Sequence, residues 1–298
     1  MKCYLCGSKN YFNREGKVRD NPSIQILECE DCGLVFLDKQ NTGDVFYEEN
    51  NMLNENFFKF TKRDGESLEA KTREFYIHNA LFVEKRFKLI KQLLVGKKLL
   101  DFGSGRAQFL LKAREIANEV AGVEIETRVQ QFYEENNIPL FRSLDEIKES
   151  GGGGYDLITA FHVIEHLQDP ITILKQLASL LKENGKMIIE VPNANDALLT
   201  IYKNKAFSEF TYWSPHLYLY NPHTLQKLGE KAGLKVDFVK CIQRYPLSNT
   251  LYWLSNGLPA GQKIWGGFLD SKVLQEAYES ALASVGATDT LIAQFSKI

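Results

Sequence analysis

The chain has 298 residues, with 36 lysines and arginines against 38 acidic side chains and a formal net charge of −2. That length suffices for one large core plus a small satellite domain, and the near-neutral balance argues against the basic footprint of a nucleic-acid-binding surface. No apolar run is long enough to cross a bilayer, and Met1-Lys2-Cys3 does not open a signal peptide. The expected setting is therefore the cytoplasm, with no membrane partner.

Four of the five cysteines fall in two pairs, Cys3-x-x-Cys6 and Cys29-x-x-Cys32, each followed by a glycine (Gly7, Gly33). Two such knuckles let four thiolates surround a tetrahedral ion, and the glycine permits the tight turn that aims N–H groups at sulfur. In a reducing compartment this spacing favours a structural zinc ion over disulfides; a redox pair or an iron–sulfur cluster are the alternatives. A zinc-binding domain over residues 1–45 is the expectation, since so small a unit needs metal to hold together. Its second knuckle runs into an apolar strand, Leu34–Leu37. Between the knuckles Lys9, Arg14, Lys17 and Arg19 are the cations, without the aromatic–basic interleaving of a nucleic-acid grip. Gln40–Glu66 is polar and aromatic, and residues 46–66 read as a connector whose Phe46, Tyr47, Phe57, Phe58 and Phe60 dock on a neighbour. A helix follows from about Ser67 to Leu94.

Lys97–Asp101 reads as a buried strand ending in a tight turn, Gly103-Ser104-Gly105, and then a helix over Gln108–Asn118. Glycines suit a backbone that bends sharply and approaches a ligand, and a helix N-terminus offers unpaired N–H groups to it. Val120–Glu126 is a second strand, placing Glu124 about twenty residues beyond the turn, where a carboxylate accepts both hydroxyls of a ribose. Both nicotinamide dinucleotides and S-adenosylmethionine carry such a ribose. The dinucleotide fingerprint needs a third glycine where this chain has Gln108. Asp101 would repel a pyrophosphate but suits the cationic amino-acid end of S-adenosylmethionine. A second helix over Arg128–Asn136, a short strand at Leu140–Phe141 and a helix cap at Ser143, with Glu146 three residues on, come next.

Asp156–Ala160 is a fourth strand, followed by one helical turn over His162–Leu167 at its carboxyl end, where open α/β sheets bind ligands. His162, Glu165 and His166, spaced i, i+3 and i+4, share one face. They line the cofactor pocket, provide a general base, or hold a divalent ion that positions an acceptor oxygen. Ile171–Leu181 reads as an amphipathic helix stopped by Gly185, and Lys186–Val191 as a fifth strand. Ala206–Tyr220 is rich in aromatic residues around His216 and precedes a helix over Thr224–Ala232. Such residues above a cofactor pocket stack an acceptor and remove its proton, or simply pack as a flap. Leu234–Ile242, with Cys241 as a buried apolar residue, and Asp289–Ser296 are the last strands. A long excursion with Trp253, Trp265 and a helix over Val273–Ala283 separates them.

Asp101-x-Gly103-x-Gly105-x-Ala107 resembles the first motif of class I S-adenosylmethionine-dependent methyltransferases, with alanine at the usual third glycine. Tyr155–Pro170, centred on Glu165-His166, resembles the fourth motif of ubiquinone-biosynthesis-like O-methyltransferases. The paired knuckles resemble the zinc-binding domain preceding a set of bacterial methyltransferases that includes sugar C-methyltransferases. The resemblance implies an α/β fold: a seven-stranded Rossmann-like sheet over residues 67–298, with insertions at about 200–222 and 244–284. It implies S-adenosylmethionine as cofactor, with Asp101, Gly103, Ser104, Gly105 and Ala107 at the methionine portion and Glu124 at the ribose. Leu144 and Asp145 would meet the adenine, Phe161 and His162 would line the pocket, and Glu165, His166, Tyr212 and His216 would be catalytic. The implied reaction is methyl transfer to the oxygen or carbon of a small molecule, a sugar nucleotide or other biosynthetic intermediate, by a monomer or homodimer. A zinc-containing RNA- or protein-binding module and a nicotinamide-dependent dehydrogenase are the competing functions.

Overall fold

The computed structural model describes residues 1–39 and 67–298. The expected aromatic connector lies outside the described residues. Short apolar runs of the N-terminal segment pair as strands β1 (Tyr11–Asn13), β2 (Ile26–Cys29) and β3 (Val35–Leu37), all antiparallel. The strand expected at Leu34–Leu37 is β3, one residue shorter. Helix α1 (Leu68–Leu94) starts where Ser67 Oγ accepts from Ala70 N, and buries Val83, Phe87, Ile90 and Leu94 against the main sheet.

The main sheet begins with β4 (Lys98–Phe102), helix α2 (Gln108–Ala113), β5 (Glu119–Val123), helix α3 (Gln130–Glu135), β6 (Leu140–Phe141), helix α4 (Leu144–Glu149) and β7 (Tyr155–Phe161). Helix α5 (Pro170–Leu180) and β8 (Leu181–Pro192) follow. Two short helices, α6 (Ala197–Thr200) and α7 (Lys205–Ser208), lead to strand β9 (Tyr218–Leu219), helix α8 (Pro222–Lys231) and β10 (Leu234–Ile242). Three helices, α9 (Leu247–Asn256), α10 (Gln262–Leu269) and α11 (Lys272–Ser284), fill the long excursion before β11 (Thr290–Lys297). The seven strands lie in the order β10-β11-β8-β7-β4-β5-β6, parallel except for β11, which runs against both neighbours. Central strands covered on both faces are apolar almost throughout; Leu99, Leu100, Ile158 and Ile188 are fully buried. Strand order reverses at β4, between β5 and β7, so the crevice for a ligand opens at the carboxyl ends of β4 and β7.

Three expected boundaries shift. Helix α2 ends at Ala113 rather than Asn118, because the chain turns so that the Ile116 carbonyl accepts from Gly96 N at 2.8 Å. The second helix opens with a 3₁₀ turn, Thr127–Val129. Gly185 does not stop α5: Leu181 already pairs with Tyr155, and the next pair is Leu157 with Lys186, leaving 182–185 as a bulge. A Cβ at Gly185 would meet the Tyr155 and Lys182 carbonyl oxygens at 3.0 Å, so the bulge needs glycine. Cys241 is half-buried rather than buried.

The aromatic stretch 206–220 does more than interrupt the core. Its strand β9 pairs with β3, completing the small sheet β1-β2-β3-β9. The N-terminal module is thereby sewn to the main body. Arg14 Nη2 donates to Ala194 O at 2.5 Å, Asn221 Nδ2 donates to Gly33 O at 3.0 Å, and Tyr4 meets Asp169 through their side chains.

Candidate active site and cysteine cluster

Asp101, 4 % exposed, ends the buried part of β4 and accepts from Thr159 Oγ1 of β7 at 2.6 Å. Burial pushes its carboxyl up to about 7. The next bend is possible only for glycine: Gly103 has φ +72°, and a Cβ there would stand 2.3 Å from Val163 Cγ2. Gly105 N donates to Glu124 Oε2 at 2.8 Å, and Glu126 N to Glu124 Oε1 at 3.0 Å. Glu124 therefore ties the tip of β5 to the turn, and burial raises its pKa. Tyr133, which the sequence reading passed over, braces the turn: its hydroxyl donates to Gly105 O at 3.0 Å and lies 2.7 Å from Ser104 Oγ. Ala107, fully buried, takes a left-handed φ of +51° at the start of α2.

Beyond β7, His162 takes a left-handed φ of +56°, and a 3₁₀ turn over Ile164–His166 presents Glu165 and His166 inward. Strain of this kind persists where surroundings over-determine a residue. His162 Nε2 lies 2.9 Å from Glu190 Oε1, and its Nδ1 lies 3.2 Å from Glu165 Oε1. Glu190, at the end of β8, receives the fork of Arg86 from α1, with Nη2 at 2.6 Å and Nε at 3.1 Å. Burial would raise this carboxyl, but Arg86 and His162 hold it far below the usual range. Glu165 is fully buried, and neither of its oxygens has a donor in hydrogen-bond geometry among the described residues. Burial alone would raise its pKa too; His162, His166 and His216 instead hold it down at about 2.

His216 arrives from the distant aromatic stretch. Its ring centroid stands 4.7 Å from that of His166 and 5.5 Å from Trp213, and Trp213 is 6.4 Å from His166. Leu217 N donates to Glu165 O at 2.8 Å, while Leu37 N donates to Leu217 O, so β3 of the N-terminal sheet holds this segment over β7. Burial keeps the pKa of His166 low and that of His216 well below the ordinary value, so both imidazoles are neutral at neutral pH. Arg19, also N-terminal, stacks 4.8 Å from the Trp213 ring and 5.2 Å from Phe210.

The other expected positions fall differently. Phe161 sits at the crevice wall between Phe109 and Arg86, 4.9 and 4.7 Å away. Leu144 packs in the core, and Asp145 is exposed beside Lys148 at 3.3 Å, while Ser143 caps α4 by accepting from Glu146 N. Tyr212 does not join the histidines. It is buried among Val18, Ile24, Val35 and Leu37, with Arg14, Glu28 and Asp196 as its electrostatic neighbours. Its side chain packs the N-terminal sheet onto the body; Trp213, the next residue, faces the cluster. Glu190, Arg86 and Arg244 were also missed, though a lone acid inside the otherwise apolar run Met187–Val191 was a readable signal for Glu190.

At the N-terminus, Cys3 Sγ lies 3.6 Å from Cys32 Sγ and Cys6 Sγ 3.5 Å from Cys29 Sγ, with all four sulfurs within 4.8 Å of one another. Tetrahedral zinc with Zn–S bonds of about 2.3 Å sets sulfurs roughly 3.8 Å apart, so the four positions fit that ion. The knuckles are built alike: Gly7 N donates to Cys3 O and Gly33 N to Cys29 O, both at 2.8 Å, with both glycines at positive φ.

A family model described as a methyltransferase domain matches residues 71–238. The curated relatives include the ubiquinone biosynthesis O-methyltransferase of Aeromonas salmonicida, 26 % identical over 175 residues that cover 52 % of this chain and 70 % of that protein. The enzyme of the same name from Acinetobacter baylyi is 26 % identical over 175 residues, covering 54 % and 73 %. Among solved structures, magnesium protoporphyrin IX methyltransferase from Synechocystis superposes with a TM-score of 0.50 at 12 % identity, over 86 % of this chain and 98 % of that one. A possible histamine N-methyltransferase from Thermotoga maritima gives 0.50 at 16 % identity, over 78 % and 96 %. These two likenesses show a shared fold. With the family match covering more than half of the sequence and the seven-stranded topology in agreement, the chain belongs to the class I S-adenosylmethionine-dependent methyltransferases.

Proposed function

We propose that this enzyme methylates an oxygen or carbon of a small biosynthetic intermediate, and that the Glu165–His166–His216 cluster receives the acceptor's proton. One observation carries the reading: two imidazoles kept neutral by burial stand 4.7 Å apart beside a buried, ionised carboxylate, next to the glycine turn. A neutral imidazole accepts a proton from a hydroxyl or an acidic C–H, and Glu165 stabilises the imidazolium that results. Trp213 offers a flat apolar wall for the acceptor.

When bound, S-adenosylmethionine supplies a methyl group on a positively charged sulfur. Asp101 and the turn Gly103-Ser104-Gly105, with Ala107, would hold the methionine portion. Glu124, with lone pairs beyond those taken by Gly105 and Glu126, would hold the ribose, and Leu144 and Asp145 would be the adenine contacts that the family resemblance implies. Phe161 and His162 wall the crevice. As that methyl group passes to the acceptor's oxygen or carbon, His166 or His216 would take the acceptor's proton and Glu165 would steady the resulting imidazolium. Alignment supplies most of the acceleration. The relatives' names favour a hydroxyl oxygen as nucleophile; a sugar nucleotide is the second acceptor class.

Zinc in the four-cysteine site would be structural, since four thiolates leave no open position, and a cytoplasmic setting suits them. It would hold the 1–45 module, whose sheet in turn positions β9 and His216.

The test incubates the full chain with labelled methyl donor and pools of phenolic compounds and sugar nucleotides. We expect label in a small-molecule product, and a loss of at least ~100-fold in kcat/KM for His166→Gln or His216→Asn with S-adenosylhomocysteine binding retained. Protein that binds the cofactor yet labels nothing in either pool would end the acceptor reading. Undiminished transfer by both variants would end the proton-acceptor role.

A further inference from the structure

Two arginines from distant parts of the chain converge at the carboxyl ends of β7 and β8, and they are served very differently. Arg86 forks onto Glu190. Arg244, two residues past β10, lies over the Phe82 ring at 4.2 Å, and its Nε is buried with no hydrogen-bond partner among the described residues. Its guanidinium has no carboxylate in ion-pair contact among the described residues; Asp289 is near, but its oxygens accept from the backbone N–H groups of Arg244 and Tyr245. The hydrogen bond that the guanidinium makes is a contested one, Nη1 to His162 Nε2 at 2.5 Å.

That same Nε2 lies 2.9 Å from Glu190 Oε1. A proton on it serves Glu190 and leaves Arg244 facing a donor. Without the proton it serves Arg244 and leaves Glu190 facing a lone pair. The three groups cannot all be satisfied by one another, and a half-buried guanidinium short of an acceptor is costly. A carboxylate entering the crevice would take the Arg244 fork in two parallel bonds and release His162 to Glu190 and Glu165.

We propose that Arg244 is the anchor for a ligand carboxylate in the active-site crevice. It stands one side chain, His162, from Val163, which closes over Gly103. That position favours the methionine carboxylate of the cofactor, and on the reading that the turn cradles the methionine end, Asp101 and Arg244 supply opposite charges for its ammonium and carboxylate. An acid group on the acceptor is the other source of the same chemistry.

Calorimetry on the full chain separates the two sources. S-adenosylhomocysteine and 5′-methylthioadenosine share the adenosine and sulfur, but only the first carries the amino-acid end. For the cofactor source, Arg244→Gln weakens S-adenosylhomocysteine by roughly ten- to a hundredfold and leaves methylthioadenosine within about twofold. Decarboxylated S-adenosylhomocysteine then binds the wild type correspondingly less tightly, a comparison that needs no variant. For the acceptor source both nucleosides are unaffected, while benzoate titrated into the S-adenosylhomocysteine-loaded protein binds the wild type and not Arg244→Gln. If the variant folds and neither loss is seen, or if decarboxylation and benzoate both make no difference to the wild type, the proposal is overturned. Failure of both nucleosides to bind the wild type would instead sink the cofactor cradle itself.

Discussion

The proposed cofactor cradle and the proposed acceptor wall are built on opposite plans. The cradle is local: Asp101, the glycine turn and Glu124 fall within one strand–helix–strand unit, and Gly105 N bonds Glu124 directly. The wall is assembled from afar. Glu165 and His166 come from the end of β7, His216 and Trp213 from some fifty residues later, and β3 of the N-terminal module pins their segment through Leu37 and Leu217. A local site follows from its own turn chemistry; an assembled one inherits the stability of whatever holds its parts together.

The largest expected effect breaks that link. Stripping the cysteine cluster with a chelator, or Cys29→Ser, removes about 5 kcal/mol or more from the N-terminal sheet. Methyl transfer is lost and Trp213 fluorescence shifts, while S-adenosylhomocysteine affinity stays within about fivefold. If affinity and transfer fell together, the two regions would not be separable.

Within the cradle, the two glycines should part. Gly103→Ala meets both a positive φ and Val163 Cγ2 at 2.3 Å, costing ~3 kcal/mol, with S-adenosylhomocysteine binding abolished by calorimetry. Elsewhere, Asp196 and Asp289 stand half-buried as electrostatic neighbours, and desolvation followed by Asp289 pushes the Asp196 carboxyl up to about 8. Between pH 4 and 8 the unfolded chain has lost a proton that the fold keeps, so this group's contribution to stability declines as pH rises through that window. Asp196→Asn keeps an acceptor for Leu198 N and does not titrate. Its gain in melting temperature should be near zero at pH 4 and reach a few degrees, about 2 kcal/mol, at pH 8. The smallest effect is Gly105→Ala, where no atom stands within 4 Å of the new Cβ and only the φ of +51° is penalised, ~1 kcal/mol in thermal unfolding. Equal losses at 103 and 105 would mean that turn conformation alone, not the closeness of Val163, demands glycine.

The paired knuckles, the strand–glycine-turn–helix and the Glu124 tip were legible because each is dictated over a few residues: metal-ligand spacing, positive φ, and alternation of buried strands. The nearness of Glu165 and His166 was legible for the same reason, being one helical turn. Helix ends were less so, since a turn to Gly96 and a bulge at Lys182–Gly185 depend on partners elsewhere in the chain. Tyr212 shows the limit. Its type suited catalysis, but whether it or Trp213 faced the histidines depended on which side of the segment β9 would present when it paired with β3.

Sequence by itself determined the chemistry on offer: a side-chain-free bend between two acids, four thiols in register, and histidines beside an acid. Tertiary structure alone decided which groups meet, setting His216 against His166, Arg86 on Glu190, and Arg244 beside His162. The reason is physical. Turn geometry and ligand spacing are short-range constraints, whereas burial, neutral imidazoles and unmatched charges arise only when distant strands have excluded water from the space between them.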